Sequence, residues 1–145
     1  MTAALLDVNV LIALAWPAHI AHERAMRWFR RHAQRGWATC PLTELAFIRI
    51  ISNPAFSPDA LTLDEAMNLL AAILEDPVHH FWPDEVSLVT AVTSLKPRLH
   101  GHQQLTDAYL LGLVLRRKGR LATLDKTIAS LLPEGSADRE RVELI

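Results

Sequence analysis

One cysteine stands in the whole 145-residue chain, and that scarcity already excludes an internal disulfide. A lone Cys40 suits a reducing compartment, and its expected place is that of a small buried hydrophobe at a strand end. Also missing is any uninterrupted apolar run of the roughly 20 residues that a membrane span needs. The N-terminus is apolar but has no basic segment, and Asp7 and Asn9 break the run, so it does not read as a signal peptide. No repeat, low-complexity tract or linker divides the chain. There is no excess of basic charge either: 15 Lys and Arg against 16 Asp and Glu leave a formal net charge of −1. Nucleic-acid binding would therefore depend on local patches or a metal ion rather than on bulk charge. These absences lead to the expectation of a single domain over residues 1–145, soluble and cytoplasmic.

Half of the residues are apolar, enough to bury a core without covalent staples. Their spacing alternates between short runs and helical periods. Ala3-Ala4-Leu5-Leu6 reads as a buried strand, followed by a short helix over Val10–Ala15 and another over His19–His32. Trp37–Cys40 reads as a second strand. Pro41 suits the first turn of a helix running to Ile51, which Asn53-Pro54 ends. Thr62 and Glu65 form a capping-box pattern that starts a helix ending near Glu75. Val78–Trp82 is expected as strand three and Glu85–Leu95 as a helix stopped at Lys96-Pro97. Asp107–Lys118 should be a helix closed by Gly119. Arg120–Leu124 follows as strand four, Lys126–Leu132 as a short helix and Val142–Ile145 as a last strand. Strands that alternate with helices imply an α/β fold whose parallel sheet is covered on both faces.

Four acids take distinctive positions in this framework. Asp7 ends the first strand and Asp125 lies just past the fourth, at the carboxyl edge where open α/β sheets bind ligands. Glu44 sits in the first turn of the helix after strand two, in phase with Phe47, Ile48 and Ile51. Asp107 is in phase with Leu110, Leu111 and Val114. An acid on an apolar helix face is uncommon without a partner. Few basic partners are in reach: Arg49 is five residues from Glu44 and points elsewhere, and only Lys126 adjoins the group. Close carboxylate pairs repel by about 3–4 kcal/mol each at an effective dielectric near 20. A divalent cation reverses that cost, and Mg²⁺ or Mn²⁺ favours carboxylate and water ligands. The helix dipole alone would account for Glu44 or Asp107 singly, but not for Asp7 and Asp125 at matching strand ends.

Leu5-Leu6-Asp7-Val8-Asn9-Val10-Leu11, Pro41-Leu42-Thr43-Glu44, Leu105-Thr106-Asp107-Ala108 and Ala122-Thr123-Leu124-Asp125, in that order, resemble the successive motifs of PIN-domain ribonucleases. In length and motif order the chain most resembles the VapC toxins of bacterial toxin–antitoxin pairs. The resemblance implies a three-layer α/β/α sandwich around a parallel sheet of four to five strands. It also implies an RNA endonuclease dependent on Mg²⁺, with Mn²⁺ as the alternative. By the same resemblance, Asp7, Glu44 and Asp107 are the core acids and Asp125 holds the more variable fourth place. Asn9 and Thr106 fit accessory polar positions, and Thr123 is a further candidate. Asp7 and Asp107 would hold the principal metal, with Glu44 and Asp125 acting through water or on a second ion. The implied partners are an RNA substrate, a cognate VapB-type antitoxin and a second copy of the chain.

Two other chemistries are open to these residues. Asp7-Val8-Asn9 loosely matches the nucleophile motif of haloacid-dehalogenase-like phosphatases, but Asn9 stands where a second Asp is required. A phospho-receiver domain would need an acceptor Asp after strand three, where Trp82-Pro83-Asp84-Glu85 is a poor fit. Neither His79-His80 nor His100-Gly101-His102 comes with a zinc-site pattern. Arg24, Arg27, Arg30, Arg31 and Arg35 cluster on one helix, while Arg116, Arg117, Lys118 and Arg120 complement a helix C-terminus. The four tryptophans read as core or interface residues. The helices beginning near Ala21 and Leu63 carry more apolar surface than a small monomer needs.

Overall fold

A computed structural model describes residues 2–145. Its strands are short, and the first is an unbroken apolar run. In β1 (Ala4–Leu6) every residue is buried, as expected where both faces of a strand are covered. With β2 (Trp37–Thr39), β3 (His79–Phe81), β4 (Arg120–Thr123) and β5 (Val142–Leu144) it forms an all-parallel five-stranded sheet in the order β3-β2-β1-β4-β5.

The helices are α1 (Val8–Ala15), α2 (His22–His32), α3 (Pro41–Ile51), α4 (Leu63–Ile73), α5 (Leu88–Val92) and α6 (Leu105–Arg117). Alternate strand residues sort them into two layers. Ala4, Leu6, Trp37 and Ala122 pack with Val10 and Leu11 of α1, Trp28 of α2, Phe47 and Ile51 of α3, and Leu70 of α4. Leu5, Ala38 and Leu121 face the other way, against Val92 and against Leu110, Leu111 and Val114 of α6. This is the three-layer α/β/α sandwich. From β1 the chain steps outward to β2 and β3, then returns past β1 to β4. Right-handed crossovers require the returning helices to lie on the opposite face, which is where α5 and α6 are found. The direction reverses between β1 and β4, so their carboxyl ends flank the crevice of the sheet.

Several boundaries differ from expectation, each for a local reason. Helix α2 starts at His22 rather than His19, because His19 Nδ1 accepts the Ala21 amide at 3.0 Å and holds a turn. The segment expected to be helical over Glu85–Leu95 becomes α5, capped by Ser87, followed by a 3-10 turn over Thr93–Arg98 that includes Pro97. The Thr93 hydroxyl donates to the Val89 carbonyl at 2.5 Å and competes for the acceptor that a continuing α-helix uses. After Asp125 there is only a 3-10 turn over Ile128–Leu131, because the Asp125 carboxylate binds the Thr127 amide and fixes a turn first. Helix α4 ends at Ile73, two residues short of Glu75. Helix α6 begins two residues earlier than expected and leaves the helical region at Lys118, whose φ is +53°, not at Gly119. Gly119 is needed for space instead: a Cβ there would lie 2.6 Å from the Trp82 ring and 3.2 Å from the Ala3 carbonyl oxygen.

Candidate functional site

The carboxyl end of β1 runs straight into α1, and Asp7 occupies the joint as the N-cap of that helix. Its carboxylate is buried, with only 5% of the residue exposed. Oδ1 accepts the Val8 amide at 2.7 Å, and Oδ2 accepts the Thr123 hydroxyl at 2.8 Å. Thr123, the last residue of β4, is fully buried, and its oxygen also accepts the Asp125 amide at 3.0 Å. Asn9 Oδ1 accepts the Leu124 amide at 3.3 Å. Asp7, Asn9, Thr123 and Asp125 are thus one network across the crevice between β1 and β4. Asp125 spends Oδ1 on Thr127, accepting its amide at 2.8 Å and its hydroxyl at 2.7 Å.

Asp107 reaches this network from the other helical layer, in the first turn of α6. Its pKa is pushed up to about 6, first by partial burial and then by the charges of Asp7 and Asp125. Burial likewise raises Asp7, against the lowering effect of its bonds from Thr123 and Val8, while the Asp125 charge raises it further. These three acids share one electrostatic field. None of them, nor Glu44, is paired with a cation: among the described residues the ion pairs are His32 and Arg120 with Glu143, Arg117 with Glu85, and Arg141 with Asp138. Lys126 is exposed.

Glu44, in the first turn of α3, stands beside the neighbouring strand end. Its Oε2 accepts the hydroxyl of Thr39, the last residue of β2, at 2.6 Å, and Thr39 Oγ1 also lies 2.8 Å from His79 Nε2. Thr106 is exposed and lines a groove with Leu42, Asp84, Val86, Leu105 and Tyr109. The structure therefore sets three of the four expected acids in one electrostatic field and holds Glu44 by separate bonds one strand away. Among the described residues, no three His, Cys, Asp or Glu side chains already form a metal-binding group. The donor chemistry nevertheless fits a hard divalent cation: carboxylates only, mutually repelling, with no ammonium or guanidinium to offset them.

Thr39 and His79 as partners of Glu44 were not legible in the motifs. A signal exists in retrospect: two strands that end at the site, β2 and β4, both close on a buried threonine. Of the basic clusters, Arg117 stacks 5.2 Å from the Trp82 ring centroid and Arg120 bonds Glu143 at 2.8 Å, so both are structural. Arg30 adjoins Gln34, just before β2, and Pro77 and Val78, just before β3, at the sheet edge opposite the acids. Trp28, Trp37 and Trp82 are buried. The receiver-domain alternative does not fit: Asp84 accepts the Tyr109 hydroxyl, and β3 is an edge strand rather than the neighbour of β1.

Comparison with known proteins agrees with this geometry. The family model described as PIN domain matches residues 4–131. Ribonuclease VapC38 of Mycobacterium tuberculosis is 46% identical over 128 residues, covering 88% of this chain and 89% of that protein. Ribonuclease VapC39 of the same species is 42% identical over 132 residues, covering 91% and 95%. Ribonuclease VapC44, also from M. tuberculosis, is 40% identical over 141 residues, covering 97% and 99%.

Proposed function

The chain belongs to the PIN-domain family, among the VapC ribonucleases, and from that premise we propose that it hydrolyses RNA phosphodiester bonds at the Asp7–Asp107–Asp125 crevice as the toxin of a VapBC-type pair. The observation that supports the site assignment is the buried Asp7 carboxylate, bonded to Thr123 beside Asp125 with no cation paired to it among the described residues; the raised pKa of Asp107 agrees with it. Such a group is costly unless it holds a positive ion.

In this reading Asp7 and Asp107 hold a divalent ion, Mg²⁺ with Mn²⁺ as substitute, and Glu44 and Asp125 act through water or on a second ion. When bound, such an ion lowers the pKa of water and offsets charge building on the phosphate. The protein's part is orientation. Thr123 and the Val8 amide fix both oxygens of Asp7, so a ligand set centred there is preorganised. Asn9 ties the β1 end to the β4 end and keeps Asp125 in register with Asp7. Thr106, exposed and one residue before Asp107, serves in this reading as an accessory polar residue of the site.

We read residues 1–145 as one nuclease domain, because β5, beyond the matched segment, completes the sheet. Exposed Leu45 of α3 and Leu63 and Met67 of α4 support a homodimer, expected in light scattering at about twice 16.2 kDa. A VapB-type antitoxin encoded by a small upstream reading frame, and a cytoplasmic location, complete the proposal; no described helix is long and apolar enough to cross a membrane. The test is cleavage of total cellular RNA with Mg²⁺, with chelator, and with Asp7→Asn. Both the chelator and the substitution should abolish cleavage, and activity retained in both would overturn the mechanism.

A further inference from the structure

We propose that His79 is a positioning residue for this nuclease site: its Nε2–H fixes the Thr39 hydroxyl, which in turn holds the Glu44 carboxylate in one orientation. The inference rests on Glu44 belonging to the active site.

Proton inventory sets the direction of the chain. The Glu44 carboxylate accepts from Thr39 Oγ1 at 2.6 Å, so the single hydroxyl proton of Thr39 is committed to Glu44. His79 Nε2 lies 2.8 Å from the same oxygen, and with no hydroxyl proton left, the imidazole must be the donor. The neutral ring is therefore the Nε2–H tautomer.

The strand register makes this arrangement stiff. Trp37 and His79 are paired in the parallel ladder between β2 and β3, and Thr39, two residues on from Trp37, projects from the same face. The imidazole packs at 4.6 Å from the Trp37 ring, centroid to centroid. Trp37 Nε1–H is itself held by Asp76 Oδ2 at 3.1 Å, and Asp76 Oδ1 accepts the Val78 amide at 3.0 Å. Thr39 is fully buried and cannot exchange these partners for water. Glutamate has three side-chain torsions, and a short charge-assisted bond from a fixed hydroxyl removes much of that freedom. On the other side of the crevice Thr123 does the same for Asp7, with the Asp125 amide as its donor in place of an imidazole.

The experiment has two arms. In metal-free protein, ¹⁵N imidazole spectra should show His79 as the Nε2–H tautomer with a slowly exchanging proton. Glu44→Ala frees the Thr39 hydroxyl to donate to the ring, so the Nδ1–H tautomer should then become populated. A dominant Nδ1–H form in the unaltered protein, or a tautomer balance that ignores Glu44→Ala, would overturn the proposal. In steady-state RNA cleavage, His79→Leu should lower kcat about tenfold with KM within about twofold, because substrate contacts are untouched. His79→Gln, whose amide can donate in place of Nε2–H, should restore most of the rate. Thr39→Val combined with His79→Leu should be no worse than Thr39→Val alone; unchanged kcat in His79→Leu, or additive losses, would count against the relay. If the unaltered protein cleaves no RNA, the functional assignment fails, whereas the tautomer measurement still decides the hydrogen-bond chain.

Discussion

At the scale of single residues, the acids stand in an environment that penalises their charge. Asp7 and Asp107 both titrate above their ordinary range in the fold. A raised acid pKa means that the folded state keeps protons longer than the unfolded chain. Stability of the metal-free protein should therefore fall as pH rises from about 4 to about 6, the interval between the unfolded value and that of Asp107. Urea unfolding in chelator across that interval measures it. Asp107→Asn should flatten the dependence and stabilise the metal-free protein near pH 7.5 while removing RNA cleavage, the usual trade at an active site. Mg²⁺ should raise the unfolding midpoint of the unaltered protein more at pH 7.5 than at pH 5, because protons compete with the ion for the same oxygens.

Elements are fixed by a mixture of local chemistry and close approach. The capping box of α4 is fully local: Glu65 N donates to Thr62 Oγ1 at 3.1 Å, and Thr62 N to Glu65 Oε1 at 2.9 Å. Thr62→Ala should cost about 1 kcal/mol in chemical denaturation. The contact of α5 with α6 is not local. A Cβ on Gly112 would lie 2.2 Å from the Ala91 carbonyl oxygen, so the two helices meet backbone to backbone there. Gly112→Ala should cost about 1–3 kcal/mol by overpacking, and more if α6 cannot shift, whereas Gly101→Ala, with open space around it, should stay within about 0.5 kcal/mol. Because α6 carries Asp107, Gly112→Ala should also lower cleavage at temperatures where the protein remains folded.

Over the whole molecule, charge is balanced, and apart from the exposed arginines on and just after α2 the basic residues are dispersed or engaged. Arg117 and Arg120 are tied to Glu85 and Glu143, and Arg30 lies at the edge away from the acids. RNA affinity should therefore depend only weakly on salt, with a log–log slope corresponding to about one to three displaced counterions. Removing the divalent ion should weaken binding of an RNA oligonucleotide more than raising KCl from about 50 to about 200 mM does. Fluorescence anisotropy distinguishes these cases, and a steep slope would point to the α2 arginines as phosphate contacts.

Element order, the α/β class and the placing of Asp7 and Asp125 at strand ends were determined by the sequence alone, because each follows from residues close together in the chain. Apolar runs of three or four residues, Pro41 at a helix start and the Thr62–Glu65 pair act within one turn or one strand. Tertiary structure alone decided the sheet order β3-β2-β1-β4-β5, which sets β4 beside β1 and lets Thr123 reach Asp7 across 116 positions. It also decided that Asp107 feels Asp7 and Asp125, while Glu44 is held by Thr39 and His79. Charge repulsion and hydrogen bonding act over a few ångströms of space, and spacing along the chain does not tell which strand ends will lie that close.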